Sequence, residues 1–228
     1  MAAMFTGLAS AAAAAGPLRA GAFAADVSPL KLPISSNGNM QDKMADSIHD
    51  RLHARALVLD DGATRVAIVV VDSCMIPREL IDPARELAAK HTKIPAENML
   101  VSATHAHSAV TVTGVFQSEP NAEYQQYLVE QIAKAIQKAE ANLLPAKIGW
   151  GVGRDETQVF CRRWHVKPGT MLVDPFGLGT DLVKMNPGLN NATITEPAGK
   201  VDPEVSILSV QTTAGLSLIH ISEPTRPY

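Results

Sequence analysis

Two histidines one residue apart, His105 and His107, stand in Thr104-His105-Ala106-His107-Ser108, directly after the apolar run Met99-Leu100-Val101-Ser102-Ala103. Neutral imidazole is the commonest nitrogen donor to zinc. A short β-rich run that stops in a polar cluster reads as a buried strand reaching the rim of a sheet. Side chains two apart on a strand point the same way, so a strand carried through the motif turns both rings to one site. A single histidine at a strand end is more often just a hydrogen-bonded polar residue, and the spacing alone leaves that role open. Asp72 closes a second apolar run, where open α/β sheets place polar functional groups; its carboxylate could bind metal, orient a ligand or cap the next turn. Arg162 and Arg163, between Cys161 and Trp164-His165, offer forked donors to an anionic or polar group, or form a solvated pair on an exposed loop.

The elements that must position these groups follow from periodicity. Residues 18–29 alternate weakly and end in a turn, which predicts a first strand, and residues 30–44 are a loop by composition. Residues 52–59 read as a strand, Asp60-Asp61-Gly62 as a hairpin turn, and residues 65–72 as a continuous apolar strand covered on both faces. Residues 78–91 and 123–142 carry apolar side chains at helical spacing. The second stripe (Tyr124, Tyr127, Leu128, Ile132, Ala135, Ile136, Ala139) is core in character. Strands follow at 99–103, 146–152 and 205–210, and residues 168–203 are rich in proline, glycine and asparagine and read as a long loop. The fold class is α/β: a mixed β-sheet flanked by helices, its site carried on the loops at the strand ends.

The bulk of the chain narrows the function. Its 228 residues suffice for a good core, and the formal net charge of −3, with no basic run interleaved with aromatics, argues against a nucleic-acid surface. No internal repeat, P-loop or G-x-G-x-x-G is found, and two cysteines, Cys74 and Cys161, make no disulfide framework. Residues 4–15 are apolar and alanine-rich and end in small residues before Gly16-Pro17, so residues 1–17 are expected to be a signal or leader segment and the protein secreted or periplasmic. Residues 216–228 look like a sequencing adapter translated in frame. The natural chain is therefore expected to break off near Gly215, before the domain occupying residues 18–215 is complete; a genuine short C-terminal strand is the alternative for the tail.

In order, these pieces resemble the N-terminal catalytic domain of the neutral/alkaline non-lysosomal ceramidase family. They are Ala20-Gly21, Asp26-Val27-Ser28-Pro29, Leu52-His53-Ala54-Arg55-Ala56, Val69-Val70-Val71-Asp72, Ser102-Ala103-Thr104-His105-Ala106-His107-Ser108 and the arginine at Arg162. The resemblance implies a secreted or membrane-associated zinc amidohydrolase that cleaves the N-acyl bond of ceramide, giving a sphingoid base and a fatty acid. It implies His105 as a Zn2+ ligand, His107 in the substrate pocket and Arg162 near the polar head of the substrate. Asp72 and Arg163 are weaker candidates. No catalytic residue is identified in this stretch, because the family's remaining zinc ligands lie further along, and these residues alone are expected to be inactive. The partner implied is a lipid-like amide, with peripheral association to a membrane. Six positions in three places depart from the pattern. Ala109-Val110-Thr111-Val112 stands where the family motif continues Gly-Pro-Gly-Gly, Cys161 where asparagine is frequent, and Arg163 where serine is. Another metal hydrolase with a His-x-His strand, and a non-catalytic secreted binding protein on the same fold, remain the alternatives.

Overall fold

The computed structural model describes residues 16–218 apart from Met171 and Pro175. All of the expected leader but Gly16 and Pro17, and most of the adapter-like tail, lie outside the described residues. In chain order the elements are β1 (Arg19–Asp26), β2 (Ile34–Ser36), β3 (Lys43–Ala45), β4 (His53–Asp60), β5 (Arg65–Val71), α1 (Arg78–Ala89) and β6 (Met99–Ala103). They continue with α2 (Ala122–Ala141), β7 (Leu144–Arg154), β8 (Arg163–Val166), β9 (Val183–Met185), β10 (Ile194–Pro197) and β11 (Glu204–Thr212). The described residues up to 149, with those from 209 on, form one compact unit, and residues 150–208 form a second.

In the first unit the sheet runs β11-β7-β1-β4-β5-β6. Pairing is antiparallel from β1 through β4 to β5, then parallel from β5 to β6, as a strand–helix–strand crossover through α1 requires. The sheet is therefore mixed, as expected. Register lines up Ala54, Ala56 and Val58 of β4 with Val71, Val69 and Ala67 of β5, and the last two with Val101 and Met99 of β6. All eight are buried. Against this ladder α2 lays Leu128, Ile132 and Ile136, and α1 adds Ala84 and Ala88, in one apolar cluster. Each large side chain withdrawn there contributes roughly 1.5–3 kcal/mol. The α2 stripe is the one read from its period, and Asn121 caps the helix by accepting from the Tyr124 N–H at 2.9 Å. Gly21 lets β1 touch the end of α2: a Cβ there would lie 2.1 Å from the Ala139 carbonyl oxygen, which no side chain can tolerate.

The opposite face departs from expectation. The apolar run at 65–72 predicts cover on both sides, yet Val70 is 37% and Leu100 of the neighbouring strand 61% exposed. A small cluster of Ala20, Ala146 and Val210, with Leu57 and Leu59 against it, shields only part of that face. An apolar run is compatible with burial on both faces but does not compel it. Two stretches that the composition predicts as loops also hold strands: β2 pairs with β3 across residues 34–45, and β9 and β10 flank β8 in a three-stranded antiparallel sheet of the second unit. Strands of three or four residues are too short for a period of two to register. Among the described residues no helix is long and apolar enough to cross a membrane.

The β4–β5 hairpin turns where expected and is tied to α2. Buried Asp60 accepts from the Gly62 N–H at 2.9 Å and from Arg65 Nε at 2.7 Å, and Arg65 Nη1 reaches Glu140 at 2.9 Å. Burial works to raise the Asp60 pKa, but the Gly62 N–H and the Arg65 guanidinium outweigh it and hold the carboxyl below its ordinary 3.8. A depressed pKa stabilises the fold above the unfolded value, and the contribution is lost as pH falls through the folded one. Asp60→Asn is therefore expected to cost about 1–2 kcal/mol near neutral pH, screening on the solvent side included. Urea unfolding across pH should show the gap between variant and wild type closing below the ordinary carboxylate range; a gap independent of pH contradicts this role.

Candidate metal centre

Because β5 and β6 are parallel neighbours with Val71 opposite Ala103, both chains leave the sheet at the same edge. They stay together beyond it: the Thr104 N–H donates to the Val71 carbonyl at 3.0 Å and the Ala106 N–H to that of Ser73 at 3.2 Å. This extension sets Cys74 against His105. The strand itself ends at Ala103, and His105 has φ 62°, in the left-handed region. The two histidines are thus not brought together by strand alternation, as the sequence suggested, but by a turn after the strand. Histidine is one of the few residues with a side chain that enters that region with any frequency. The rings end 4.7 Å apart, centroid to centroid, at 75°. One donor atom from each of Cys74, His105 and His107 lies within 4.8 Å of the others.

The hydrogen bonding of His105 settles which nitrogen is available. Its Nδ1 lies 2.7 Å from the Cys74 carbonyl oxygen, and a carbonyl can only accept. A neutral ring with this contact carries its proton on Nδ1 and its lone pair on Nε2. Metal-bound histidines are held in the same way, by a carbonyl or carboxylate on the far nitrogen. The Cys74 sulfur is 3.8 Å from Nδ1. Cys74 is buried and both histidines are exposed, so the cluster is dry behind the thiol and open to solvent at the imidazoles. Two nitrogens and a sulfur are donors that zinc accepts readily, and the three residues can hold a metal ion.

His107 is positioned from the other side by the segment around β2. Ser36 bridges Val110, the Thr111 N–H donates to the Ser35 carbonyl at 2.9 Å, and the Asn37 N–H to that of Ala109 at 2.9 Å. The buried hydroxyls of Ser35 and Thr111 meet at 2.9 Å. Gly38 follows with φ 105°, and a Cβ on it would stand 2.4 Å from that of His107. Only glycine fits both the conformation and the space. Next to Ser108 lies a cavity of about 430 Å³, lined among others by Leu32, Ile34, Ser36, Lys43 and His49.

Asp72 stands beside this edge but directs its carboxylate elsewhere. Oδ2 accepts from Arg55 Nη1 at 2.7 Å and from the His53 N–H at 2.9 Å, so Asp72 is not among the clustered donors. Two pieces of sequence far apart in the chain, His53-Ala54-Arg55 and Val71-Asp72, meet in this ion pair. Arg162 and Arg163 belong to the second unit, both exposed. Arg163 opens β8, paired with Met185, and the Arg162 carbonyl accepts from the Asn186 N–H at 2.8 Å. Sequence reasoning passed over Cys74 and Gly38. The first was detectable from parallel pairing, since residues that follow two parallel neighbours share an edge. The second had no local signal, because its partner is distant in the chain.

Gly38→Ala is expected to cost roughly 1–3 kcal/mol, the scale of a residue forced into a left-handed conformation, and to displace His107. Urea unfolding and the chemical shifts of the His107 ring check this; unchanged stability together with an unmoved ring contradicts the packing described.

A family model described as neutral/alkaline non-lysosomal ceramidase, N-terminal, matches residues 33–159. The fold is similar to the crystal structure of neutral ceramidase from Pseudomonas aeruginosa, with 21% identity, a TM-score of 0.63, and 88% of this chain and 30% of that chain covered. It is similar as well to a ceramidase complexed with C2, with 22% identity, a TM-score of 0.62 and the same coverage, 88% and 30%. The chain thus spans about 30% of the length of each solved relative. At such identity the likeness speaks for the fold, and the matched stretch, which carries both histidines and Cys74, speaks for the family. The chain belongs to the neutral/alkaline non-lysosomal ceramidase family.

Proposed function

We propose that this chain is the N-terminal part of a zinc-dependent amide hydrolase that cleaves the N-acyl bond of ceramide-like lipids to a sphingoid base and a fatty acid. The observation that carries the reading is the imidazole pair at the end of the parallel strands, with Nε2 of His105 left available by the Nδ1 hydrogen bond to Cys74. His105 binds the ion. His107, held in place by Gly38, borders the substrate; the polar-head role of Arg162, and the weaker one of Arg163, rest on the resemblance to the family alone. Asp72 acts at a distance, fixing the start of β4 through Arg55. The chemistry supplied by bound zinc is a water made nucleophilic near neutral pH and a polarised amide carbonyl. The exposed imidazoles leave room for substrate on the solvent side of the cluster. A leader that exports the protein, and peripheral contact with a membrane where the lipid resides, complete the reading.

A second reading, a metal hydrolase of other amides or esters on this fold, is favoured by the residues after the histidines. Ala109, Val110, Thr111 and Val112 are all buried and tied to β2, where the family motif continues with glycines and a proline. A groove built on that loop would be shaped differently here. Zinc content and hydrolysis of an N-acylsphingosine by the full gene product test both. Stoichiometric zinc and fatty-acid release, both lost on His105→Ala, are expected. Zinc with no cleavage of the sphingolipid amide selects the second reading, and zinc retained on His105→Ala contradicts either.

A further inference from the structure

Arg–Asp pairs close both ends of the β4–β5 ladder, and they are unlike. At the hairpin end Arg65 is matched twice, by Asp60 at 2.7 Å and by Glu140 at 2.9 Å. At the open end Arg55 stands opposite Val70, and Asp72 follows two residues on, so the pair meets diagonally across the strands. Asp72 Oδ2 accepts from Arg55 Nη1 at 2.7 Å and from the His53 N–H at 2.9 Å, while the Asp72 N–H donates to the His53 carbonyl at 2.9 Å. The two side chains are only 24% and 20% exposed, and the buried Nε of Arg55 finds no partner among the described residues. An unmet buried N–H subtracts from stability, and a largely buried ion pair is weak evidence for a stabilising role. The best-attested use of such a pair is to fix register.

What this pair registers is the exit of β5. After Asp72 comes Ser73, whose carbonyl accepts from the Ala106 N–H at 3.2 Å, and then Cys74, whose carbonyl accepts from His105 Nδ1 at 2.7 Å. Ser73 and Cys74 are both buried. The ends of elements fray where nothing closes them. A frayed segment 72–74 would carry the Cys74 carbonyl away from the ring and leave His105 free to turn or to change tautomer.

We propose that Arg55 and Asp72 are positioning residues for His105: by pinning the exit of β5 to β4, their ion pair holds the Cys74 carbonyl against Nδ1. The inference rests on the reading of His105 as a zinc ligand and adds to it what sets the ring. Neither residue joins the donor set, so each acts on the ion only through the imidazole.

Zinc affinity of the full gene product, measured by competition with a chromogenic chelator, tests this. The double variant Arg55→Met/Asp72→Leu separates position from stability, because apolar side chains of similar size often replace a buried pair without loss of stability. It should unfold no earlier than the wild type in heat, yet bind zinc roughly 10–100-fold more weakly, the range seen for outer partners of metal ligands. Saturating zinc should restore its activity. Asp72→Asn keeps an acceptor oxygen in the same place and should recover most of the affinity. Asp60→Asn opens the hairpin end of the same two strands and should leave zinc binding unchanged. If the double variant does not fold, Arg55→Lys carries the test: it keeps the charge but loses the fork. Weaker zinc binding is then expected together with nitrogen-15 shifts that show His105 in both tautomers. Wild-type zinc affinity in the variants that lack the pair, or an equal loss in Asp60→Asn, overturns the inference and leaves the His105 reading standing. Zinc binding indifferent to His105→Ala overturns that reading, and the inference with it.

Discussion

The pairing of β5 with β6 in parallel is the constraint on which the site depends. An antiparallel partner would send the two chains out at opposite edges, and Cys74 could not meet His105. Parallel pairing needs a crossover, which α1 supplies, and a crossover helix needs an apolar face to lie on. The buried ladder from β4 to β6 provides that face, and α2 shares it. The backbone bonds from Thr104 to Val71 and from Ala106 to Ser73 carry the pairing past the end of the strands. They hold the left-handed turn at His105 in register with Cys74. The fold stabilises a local conformation that the motif alone would not adopt.

A second support comes from the segment around β2, which grips residues 107–111 from the opposite side. Its polar groups are buried and matched: Ser35 with Thr111, Asn37 with Ala109, Ser36 with Val110. Buried polar groups are costly unless paired, so this network permits few alternative arrangements. Gly38 then determines how closely the segment approaches His107. The site is thus clamped between a sheet edge and a short hairpin, while its imidazoles stay in solvent.

Much of this was legible in the sequence and some of it was not. The α2 stripe, the β4–β5 hairpin, the strand before the histidines and the α/β class all follow from periodicity, because each is long enough to show one. The short strands β2, β3, β9 and β10 carry no period, and their partners are set by tertiary pairing. The uncovered face of β5 and β6 was misjudged, since an apolar run records compatibility with burial and not what lies above it. At the site, residue type pointed to His105 and His107, but strand geometry gave the wrong reason for their meeting. Cys74 forms no disulfide pattern, and its place beside His105 follows only from the parallel pairing of β5 with β6. The place of Asp72 in an ion pair with Arg55 became visible only when β4 and β5 were set side by side.

The Cys74 carbonyl selects the Nδ1–H tautomer of a neutral His105 ring, and the proposed metal ion takes its Nε2. Nitrogen-15 NMR of the imidazole side chains, recorded on the chain with and without zinc, tests it most directly. The expected spectrum shows His105 as the Nδ1–H tautomer before zinc is added, with its Nε2 resonance shifted once zinc is bound and Nδ1 still protonated. A His105 ring protonated at Nε2, or one whose resonances ignore zinc, contradicts the account.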